Sequence, residues 1–209
     1  MDRCRLLVSA AFALVITFTS CVQAQESAQE GAPVVRVRGT LDKVSPGEIV
    51  VRERGTNEII ALATPPSMTL AEVYPIQLDD IRAGSYVGVG AMPQPDGTQR
   101  AIAVTVFPDS ARGAGEGHRR FDLAPQATMT NATVADVAAA PTGRTLRLRY
   151  ADGEKAVVVP ADAPVVTFRP ADRSLLVPGA SVSIAARMID GVPTALRANV
   201  GRSGFALPY

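Results

Sequence analysis

The second half of this chain repeats a pattern that is present in its first half. Residues 81–106 and residues 176–200 both carry a glycine, an apolar strand pattern, an Asp-Gly turn and an alanine-rich strand pattern, in that order. The matching glycines, Gly84 and Gly179, are about 95 residues apart. A repeat at this spacing predicts a duplicated unit of roughly 70 residues with five strands in each copy, rather than one large sandwich.

Apolar and polar residues alternate along the first copy with the period of two that is typical of half-buried strands. The prolines between residues 64 and 77 predict a looser connection, followed by one helical turn at 78–81. Residues 93–97 form the hairpin loop that ends in Asp-Gly. The expected strands of the first copy are residues 34–42, 48–54, 58–63, 85–92 and 99–107.

The second copy follows the same order. Asp152 and Gly153 form a two-residue hairpin signal of the kind that requires positive φ. Proline-containing loops are expected around residues 165–168. The expected strands are residues 128–138, 144–151 and 154–159, and the two strands of the repeated element follow them.

Five short strands per copy favour closure into a small barrel, because an open sheet would leave two hydrogen-bonding edges exposed. The sequence therefore predicts an all-β protein made of two tandem five-stranded OB-like β-barrels. We expect the first barrel at residues 34–108 and the second, with a C-terminal tail, at residues 127–209. Residues 109–126 would join them.

The first 24 residues have the pattern of a cleaved secretory signal peptide. Arg3 and Arg5 precede an uncharged apolar run at residues 6–20, and small residues around Ala24 offer a cleavage site. The run is shorter than the roughly 20 residues that a membrane-spanning helix needs. No later segment is apolar for 18 residues, so no membrane span is expected. Residues 25–33 are polar and predict a flexible lead-in.

A lipoprotein signal is the alternative interpretation of the same segment. Cys21 would then be lipidated and would become the N-terminal residue of an envelope-anchored protein. The chain has two cysteines, and Cys4 leaves with the signal in either case. Because the mature protein would keep no free thiol and no disulfide, thiol catalysis and thiolate metal sites are excluded.

The charge balance excludes one further class of protein. The chain has 21 Lys and Arg against 20 Asp and Glu, a net charge of +1, with 47% hydrophobic residues. Such a chain can bury a core, and it lacks the basic excess of a nucleic-acid-binding domain. We therefore expect no nucleic-acid partner.

The repeated element resembles that of a group of bacterial exported proteins whose unit is an OB-like small β-barrel of unknown function. The joining segment, around residues 112–118, 121–123 and 128–131, is similar to that of a two-barrel subset of this group. The resemblance covers nearly all of residues 34–205. It implies the fold and export, and it brings no assigned catalytic residues. The residues that carry it are Ile81, Gly84, Val87, Val89, Asp96 and Gly97 in the first copy and Leu176, Gly179, Val182, Ile184, Asp190 and Gly191 in the second.

The joining segment is the first candidate for chemistry, because loops of this length in compact domains tend to be functional or disordered. It holds His118, the only histidine, and Glu116 would project to the same side of an extended chain. With Asp122, or alternatively Asp109, they could hold a divalent metal ion. The alternative is a strap whose charged side chains pair with the two barrels.

An arginine-rich face is the second candidate. If the first two strands pair as a hairpin, four arginines would share or adjoin one outer surface that could hold phosphate or uronate groups. The alternative is a salt-bridged, solvated face, because glutamates are interleaved with them and the chain has no Trp for stacking. The four residues are Arg36, Arg38, Arg52 and Arg54.

Catalytic motifs are weak throughout the sequence. No G-x-S-x-G elbow accompanies the serines, and the adjacent carboxylates of Asp79 and Asp80 diverge. We therefore expect an exported, periplasmic or secreted, non-enzymatic binding or scaffold protein that uses no cofactor and contacts an unknown envelope protein or anionic polymer. The alternatives are a periplasmic metal-binding accessory protein that uses the joining segment, and a binder of anionic envelope polysaccharide that uses the arginine-rich face.

Overall fold

Strands form nearly all the regular structure of residues 32–209, which are the residues that a computed structural model of the chain describes. The predicted signal peptide and Cys21 lie outside the described residues. The strands are β1 (Val35–Ser45), β2 (Glu48–Glu53), β3 (Ile59–Ala63), β4 (Thr69–Pro75), β5 (Tyr86–Pro93), β6 (Gln99–Val106), β7 (Gly117–Arg120), β8 (Thr128–Ala140), β9 (Gly143–Tyr150), β10 (Gly153–Pro160), β11 (Val165–Ala171), β12 (Ser181–Ile189) and β13 (Val192–Gly201). Short 3₁₀ helices lie at Leu78–Asp80, Asp109–Ala111, Arg173–Leu175 and Arg202–Gly204.

One set of strands closes into a five-stranded β-barrel. The antiparallel neighbours run β6, β5, β8, β9 and β10. Parallel pairing of β10 with β6, at Val157 opposite Gln99, closes the barrel. Closure leaves this set of strands with short exposed edges.

A second ring of pairing has the same order of strands. The antiparallel neighbours run β13, β12, β1, β2 and β3. The ring closes where Thr194 of β13 lies opposite Ala63 of β3 in parallel pairing. Each ring therefore takes three strands from one half of the chain and the last two strands from the other half.

The remaining long strands connect the two rings. β4 pairs with β11 in antiparallel fashion, from Val166 opposite Pro75 to Ala171 opposite Leu70. β4 also runs parallel to β13, and β11 runs parallel to β6. The thirteen strands of residues 32–209 thus form one continuous hydrogen-bonded system, and these residues make up one compact unit.

An all-β fold with a closed five-stranded barrel is confirmed. The expected boundaries at 34–108 and 127–209 do not follow the strand pairing, because β12 pairs with β1 and β5 pairs with β8. β4 and β11 lie in regions expected to be loops. β7, which pairs with β8, lies in the joining segment, where no strand was expected.

Each ring encloses its own apolar core, built from side chains that its strands direct inward. The first core includes Leu41, Ile49, Val51, Leu62, Val182 and Ile184. The second includes Val87, Val89, Val134, Leu146, Leu148 and Val157. A small third cluster of Val73, Val166 and Leu207, with Phe168, Phe205 and Tyr209 packed against it, lies under β4 and β11. Within residues 32–209, no helix has the length and apolar character to cross a membrane.

Candidate ligand-binding cleft

A cleft of about 610 Å³ opens where the two rings, the β4–β11 pair and the joining segment meet. One wall comes from β1, β12 and β13 of one ring, and the other comes from β5, β6 and β8 of the barrel. Val73 of β4 and Phe168 of β11, which lie opposite each other, contribute to the lining, and so does Tyr209. This volume lies within the usual range for small-molecule sites.

The first wall is cationic because of its strand register. Arg36 of β1 lies opposite Ala185 of β12, and Ala185 lies opposite Arg197 of β13. The three side chains therefore form one row across the sheet, with a methyl group between two guanidinium groups. Neither arginine forms an ion pair with any residue of 32–209. Desolvation, followed by repulsion from Arg38, lowers the pKa of Arg36.

The next row of the same wall is polar and more deeply buried. Arg38 lies opposite Ser183, which lies opposite Asn199. Ser183 is only 2% exposed. The hydroxyl of Ser183 and the side-chain carbonyl of Asn199 have no hydrogen-bond partner among the described residues.

The second wall is neutral and shaped by a glycine. Gly88 of β5 lies between Asn131 of β8 and Thr105 of β6. A Cβ at Gly88 would come within 2.8 Å of the Asn131 Oδ1 atom and 2.9 Å of the Phe107 ring. Only glycine leaves the Asn131 carbonyl and the Phe107 ring in these places.

The orientation of the Asn131 amide follows from its own hydrogen bond. Its Nδ2 donates to the backbone carbonyl of Ala114 in the joining segment at 2.9 Å. Its Oδ1 is buried and has no donor among the described residues, and the residue is 6% exposed. An acceptor is therefore held at the wall of the cleft with nothing from residues 32–209 to satisfy it.

Aromatic rings, Phe107 and Phe168 among them, line the cleft. Phe107 packs edge-on against Tyr86 at 5.3 Å and against Phe168 at 5.4 Å between ring centroids. The guanidinium of Arg197 lies over the Phe168 ring at 5.7 Å from its centroid. The cleft thus combines cationic groups with flat apolar surfaces, which suits an amphipathic ligand.

The joining segment brings one carboxylate to the cleft. Asp122 accepts two hydrogen bonds from Arg38, at 2.6 Å to Oδ1 and 3.1 Å to Oδ2. Arg38 also lies over the Phe121 ring at 5.6 Å from its centroid. The hydrogen bond from Arg38 lowers the pKa of Asp122, so this carboxyl group stays ionised at neutral pH.

The balance of charge around the cleft is positive. Its lining contains five arginines and a single Asp, and Arg119 uses its guanidinium to donate to the Gly115 carbonyl at 2.8 Å. The arginines are Arg36, Arg38, Arg119, Arg120 and Arg197. Since the charges share a concave surface, they reinforce one another in attracting an anion.

Tyr209 contributes a phenol to the cleft. Its hydroxyl and that of Thr105 are hydrogen-bonded to each other. Desolvation raises the pKa of Tyr209 above its ordinary value, although the hydrogen bond and the nearby arginines act in the opposite direction. The phenol is therefore neutral at physiological pH.

The predicted metal-ligating residues have other partners. Glu116 accepts a hydrogen bond from the Ala151 amide, the Nδ1 of His118 lies 2.8 Å from the Thr130 hydroxyl, and Asp122 binds Arg38. Desolvation lowers the pKa of His118, so its ring is neutral at physiological pH. Within residues 32–209, no three His, Cys, Asp or Glu side chains are placed to share a metal ion.

The predicted arginine-rich face divides into two parts. Arg36 and Arg38 line the cleft. Arg52 instead forms an ion pair with Asp42 at 2.8 Å, and Arg54 donates to the Leu207 carbonyl at 3.0 Å. The β1–β2 pairing that was expected is present, but it does not bring the four arginines to one site.

Several residues of the cleft were missed by reasoning from the sequence. Arg197 and Asn199 lie in the strand that repeats residues 99–106, at the places where the first copy has Ala103 and Thr105. A comparison of the two copies for places where a small residue is replaced by a charged or larger polar one would have found both.

Comparisons with protein-family models, with curated proteins and with solved structures found no match for this chain.

Proposed function

We propose that this chain is a binding protein that holds a small anionic molecule in the cleft between its two rings of strands. One observation carries the proposal: all four buried polar side-chain atoms that lack a partner among residues 32–209 belong to residues lining this one cleft. They are Arg38 Nε, Asn131 Oδ1, Ser183 Oγ and Asn199 Oδ1. Buried polar groups without partners are costly, and a ligand that bonds to them offsets this cost.

The charge of the cleft supports an anionic ligand, since five arginines face one carboxylate. Its aromatic lining supports an apolar body attached to the anionic group. We propose binding without catalysis, because the only histidine, His118, is not among the lining residues and its ring contacts Thr130 and stacks near Tyr150.

Export from the cytoplasm is part of the proposal and is supported by the signal-peptide pattern of residues 1–24. Either cleavage near Ala24 or lipidation of Cys21 would place residues 32–209 outside the cytoplasm. A periplasmic or envelope location would expose the cleft to small anions that enter from the environment.

The finer fold proposal is a duplicated OB-like unit in which the last two strands are exchanged between copies. The sequence repeat supports it, and so does the matching order of pairing in the two rings. The exchange would explain why a cleft lies between the two rings. β5 belongs to the first half of the chain but pairs with strands of the second half, and β12 belongs to the second half but pairs with β1 of the first half.

A small ligand is favoured over the extended polysaccharide that the sequence offered as an alternative. Arg52 and Arg54, which would widen the surface toward a polymer, are engaged with Asp42 and the Leu207 carbonyl. The metal-binding alternative would require Glu116 and His118 to leave their present partners.

Calorimetric titration with three probes of similar size tests the proposal: phenylacetate, phenyl phosphate and benzyl alcohol. We expect at least one of the two anions to bind with a saturable heat and a Kd below about 1 mM, and the neutral alcohol to give none. Raising the salt concentration should weaken the binding, because the arginines of the first row are exposed.

The matched variants are Arg36→Gln with Arg197→Gln, which removes the first row, and Arg82→Gln, which removes an exposed arginine outside the cleft. The double variant should lose the saturable heat of anion binding, and the Arg82→Gln control should keep it. Binding that survives in the double variant, or no binding of either anion to the wild-type protein, would overturn the proposal.

A further inference from the structure

The cleft contains the same pairing of an arginine with an aromatic ring at two places. Arg38 lies over Phe121, and Arg197 lies over Phe168, at 5.6 and 5.7 Å between the guanidinium carbon and the ring centroid. A guanidinium that lies on a ring keeps its in-plane N–H groups available to a planar acceptor. The two places therefore offer the same kind of donor fork.

The first of these places is completed by a carboxylate and the second is not. Asp122 receives both N–H groups of the Arg38 fork, at 2.6 and 3.1 Å. Arg197 has no ion-pair partner within residues 32–209, and Arg36 lies in the same row beyond the small side chain of Ala185. The occupied place thus shows which chemistry fits the second one.

A carboxylate fits this second place better than a phosphate does. A carboxylate matches a guanidinium fork with two parallel hydrogen bonds and carries one negative charge. A phosphate monoester carries up to two charges, and the ionised Asp122 in the same cleft opposes the second. Carboxylate binding also leaves Asp122 in its bond to Arg38.

The opposite wall presents a hydrogen-bond acceptor and therefore favours a ligand that carries a donor. Asn131 Oδ1 is a buried acceptor whose orientation is set by the bond from Nδ2 to the Ala114 carbonyl. It lies on the neutral wall, next to the Phe107 ring that shapes the site at Gly88. A hydroxyl group on an aromatic ring would donate to this oxygen while the ring packs against the aromatic lining.

We infer that the ligand is a hydroxyaryl carboxylate, with its carboxylate held by Arg197 and Arg36 and its hydroxyl donating to Asn131. The inference rests on the binding function proposed above and names the ligand class. The ring lies against Phe168 and Phe107, and the ligand spans the cleft from the cationic wall to the neutral wall.

Calorimetric titration of the purified protein with three matched probes tests this assignment. The probes are 4-hydroxycinnamate, cinnamate without the hydroxyl, and the neutral 4-hydroxycinnamamide. We expect 4-hydroxycinnamate to bind best, the amide to bind about 10- to 100-fold more weakly, and cinnamate about 3- to 10-fold more weakly.

Two variants locate the two ends of the ligand. Arg197→Lys keeps the positive charge but removes the guanidinium fork, and it should raise the Kd for 4-hydroxycinnamate about tenfold. Asn131→Ala should remove the difference between 4-hydroxycinnamate and cinnamate. That ratio is measured within one variant, so a loss of stability does not produce it. Arg82→Gln, outside the cleft, should behave as wild type.

The outcomes separate this inference from the function on which it rests. If phenyl phosphate binds and the carboxylates do not, the protein is an anion binder and the carboxylate assignment is wrong. If the amide binds as well as the acid, or if Asn131→Ala keeps the preference for the hydroxyl, the orientation is wrong. If none of these anions binds, the proposed function itself fails.

Discussion

Replacing Gly39 by alanine should destabilise the protein strongly. A Cβ at this position would lie 2.0 Å from the backbone carbonyl oxygen of Arg52 and 3.0 Å from the Val51 side chain. The oxygen belongs to the main chain of the neighbouring strand and cannot rotate away. β1 and β2 would have to separate by about 1 Å to bring the contact into the range of real atoms.

The size of the effect follows from overpacking. Inserting a methyl group into a well-packed site costs about 1–3 kcal/mol, and a backbone obstacle places Gly39→Ala near the upper end. Alanine also lowers the conformational entropy of the unfolded chain, which offsets about 0.4–1 kcal/mol of this loss in stability. The net loss is therefore about 2 kcal/mol, which lowers the Tm of a domain of this size by about 4–8 °C.

Urea unfolding followed by circular dichroism measures this loss, and Gly55→Ala is the matched control. A Cβ at Gly55 would meet only the flexible carboxylate of Glu53, at 3.3 Å. The control should unfold within about 0.5 kcal/mol of wild type. If Gly39→Ala unfolds at the same urea concentration as Gly55→Ala, the close approach of β2 to Gly39 is wrong.

Three further measurements probe the fold and the cleft. Leu148→Ala in the barrel and Ile184→Ala in the other ring should each lower the free energy of unfolding by about 2–5 kcal/mol. Both variants should shift one shared unfolding transition, because each ring takes strands from both halves of the chain. Separate transitions in circular dichroism and tyrosine fluorescence would contradict this. Asp122→Asn should cost less than about 1 kcal/mol at neutral pH, since the carboxylate is more than half exposed. Because Arg38 lowers the folded pKa of Asp122, the difference from wild type should disappear as the pH falls through that value, and a constant difference in acid would refute the ion pair. The raised pKa of Tyr209 adds stability that is complete below the ordinary tyrosine pKa and is lost as the pH rises through the folded value. Burial also raises the pKa of Tyr86, so phenolate absorbance should show two late-titrating tyrosines, and Tyr209→Phe should remove one of them.

Local patterns predicted the strands whose faces alternate. The segments expected at 48–54, 58–63 and 99–107 match β2, β3 and β6 to within a residue, because one side of each strand packs into a ring and the other faces outward. The Asp-Gly signals mark turns, and Gly97, Gly153 and Gly191 all have positive φ. The aspartate has it too only at the β12–β13 turn, in Asp190, whereas Asp152 of the predicted two-residue hairpin does not.

β4 and β11 were missed because their surroundings override the local signal. Prolines at or near their ends suggested loops, yet each strand is held on both sides, β4 by β11 and β13 and β11 by β4 and β6. Those partners are distant in sequence. The pairing of β1 with β12 also joins strands that are distant in sequence. The sequence repeat predicts two copies, but it does not indicate which half of the chain supplies the last two strands of each ring.

The cleft was only half visible in the sequence for a related reason. Arg36 and Arg38 stand out as alternating charges on one strand, whereas Arg197 and Ser183 join them through pairings that cross the two halves. Arg52 and Arg54 share the outward direction but have partners of their own. Alternation predicts which way a side chain points, and the long-range register decides which of those side chains meet.

The proposed duplication would account for the polarity of the cleft. The two walls occupy corresponding places in the two rings, so identical copies would have given identical walls. The corresponding positions of the two rings differ, however: Arg197 of β13 corresponds to Ala103 of β6, and Asn199 corresponds to Thr105. One wall carries Arg36 and Arg197, whereas the other carries the small Gly88 and the neutral acceptor of Asn131. A molecule bound between such walls has one favourable orientation, with its negative end toward β13, so removing the charge at Arg197 should cost more affinity for the acid than Asn131→Ala does.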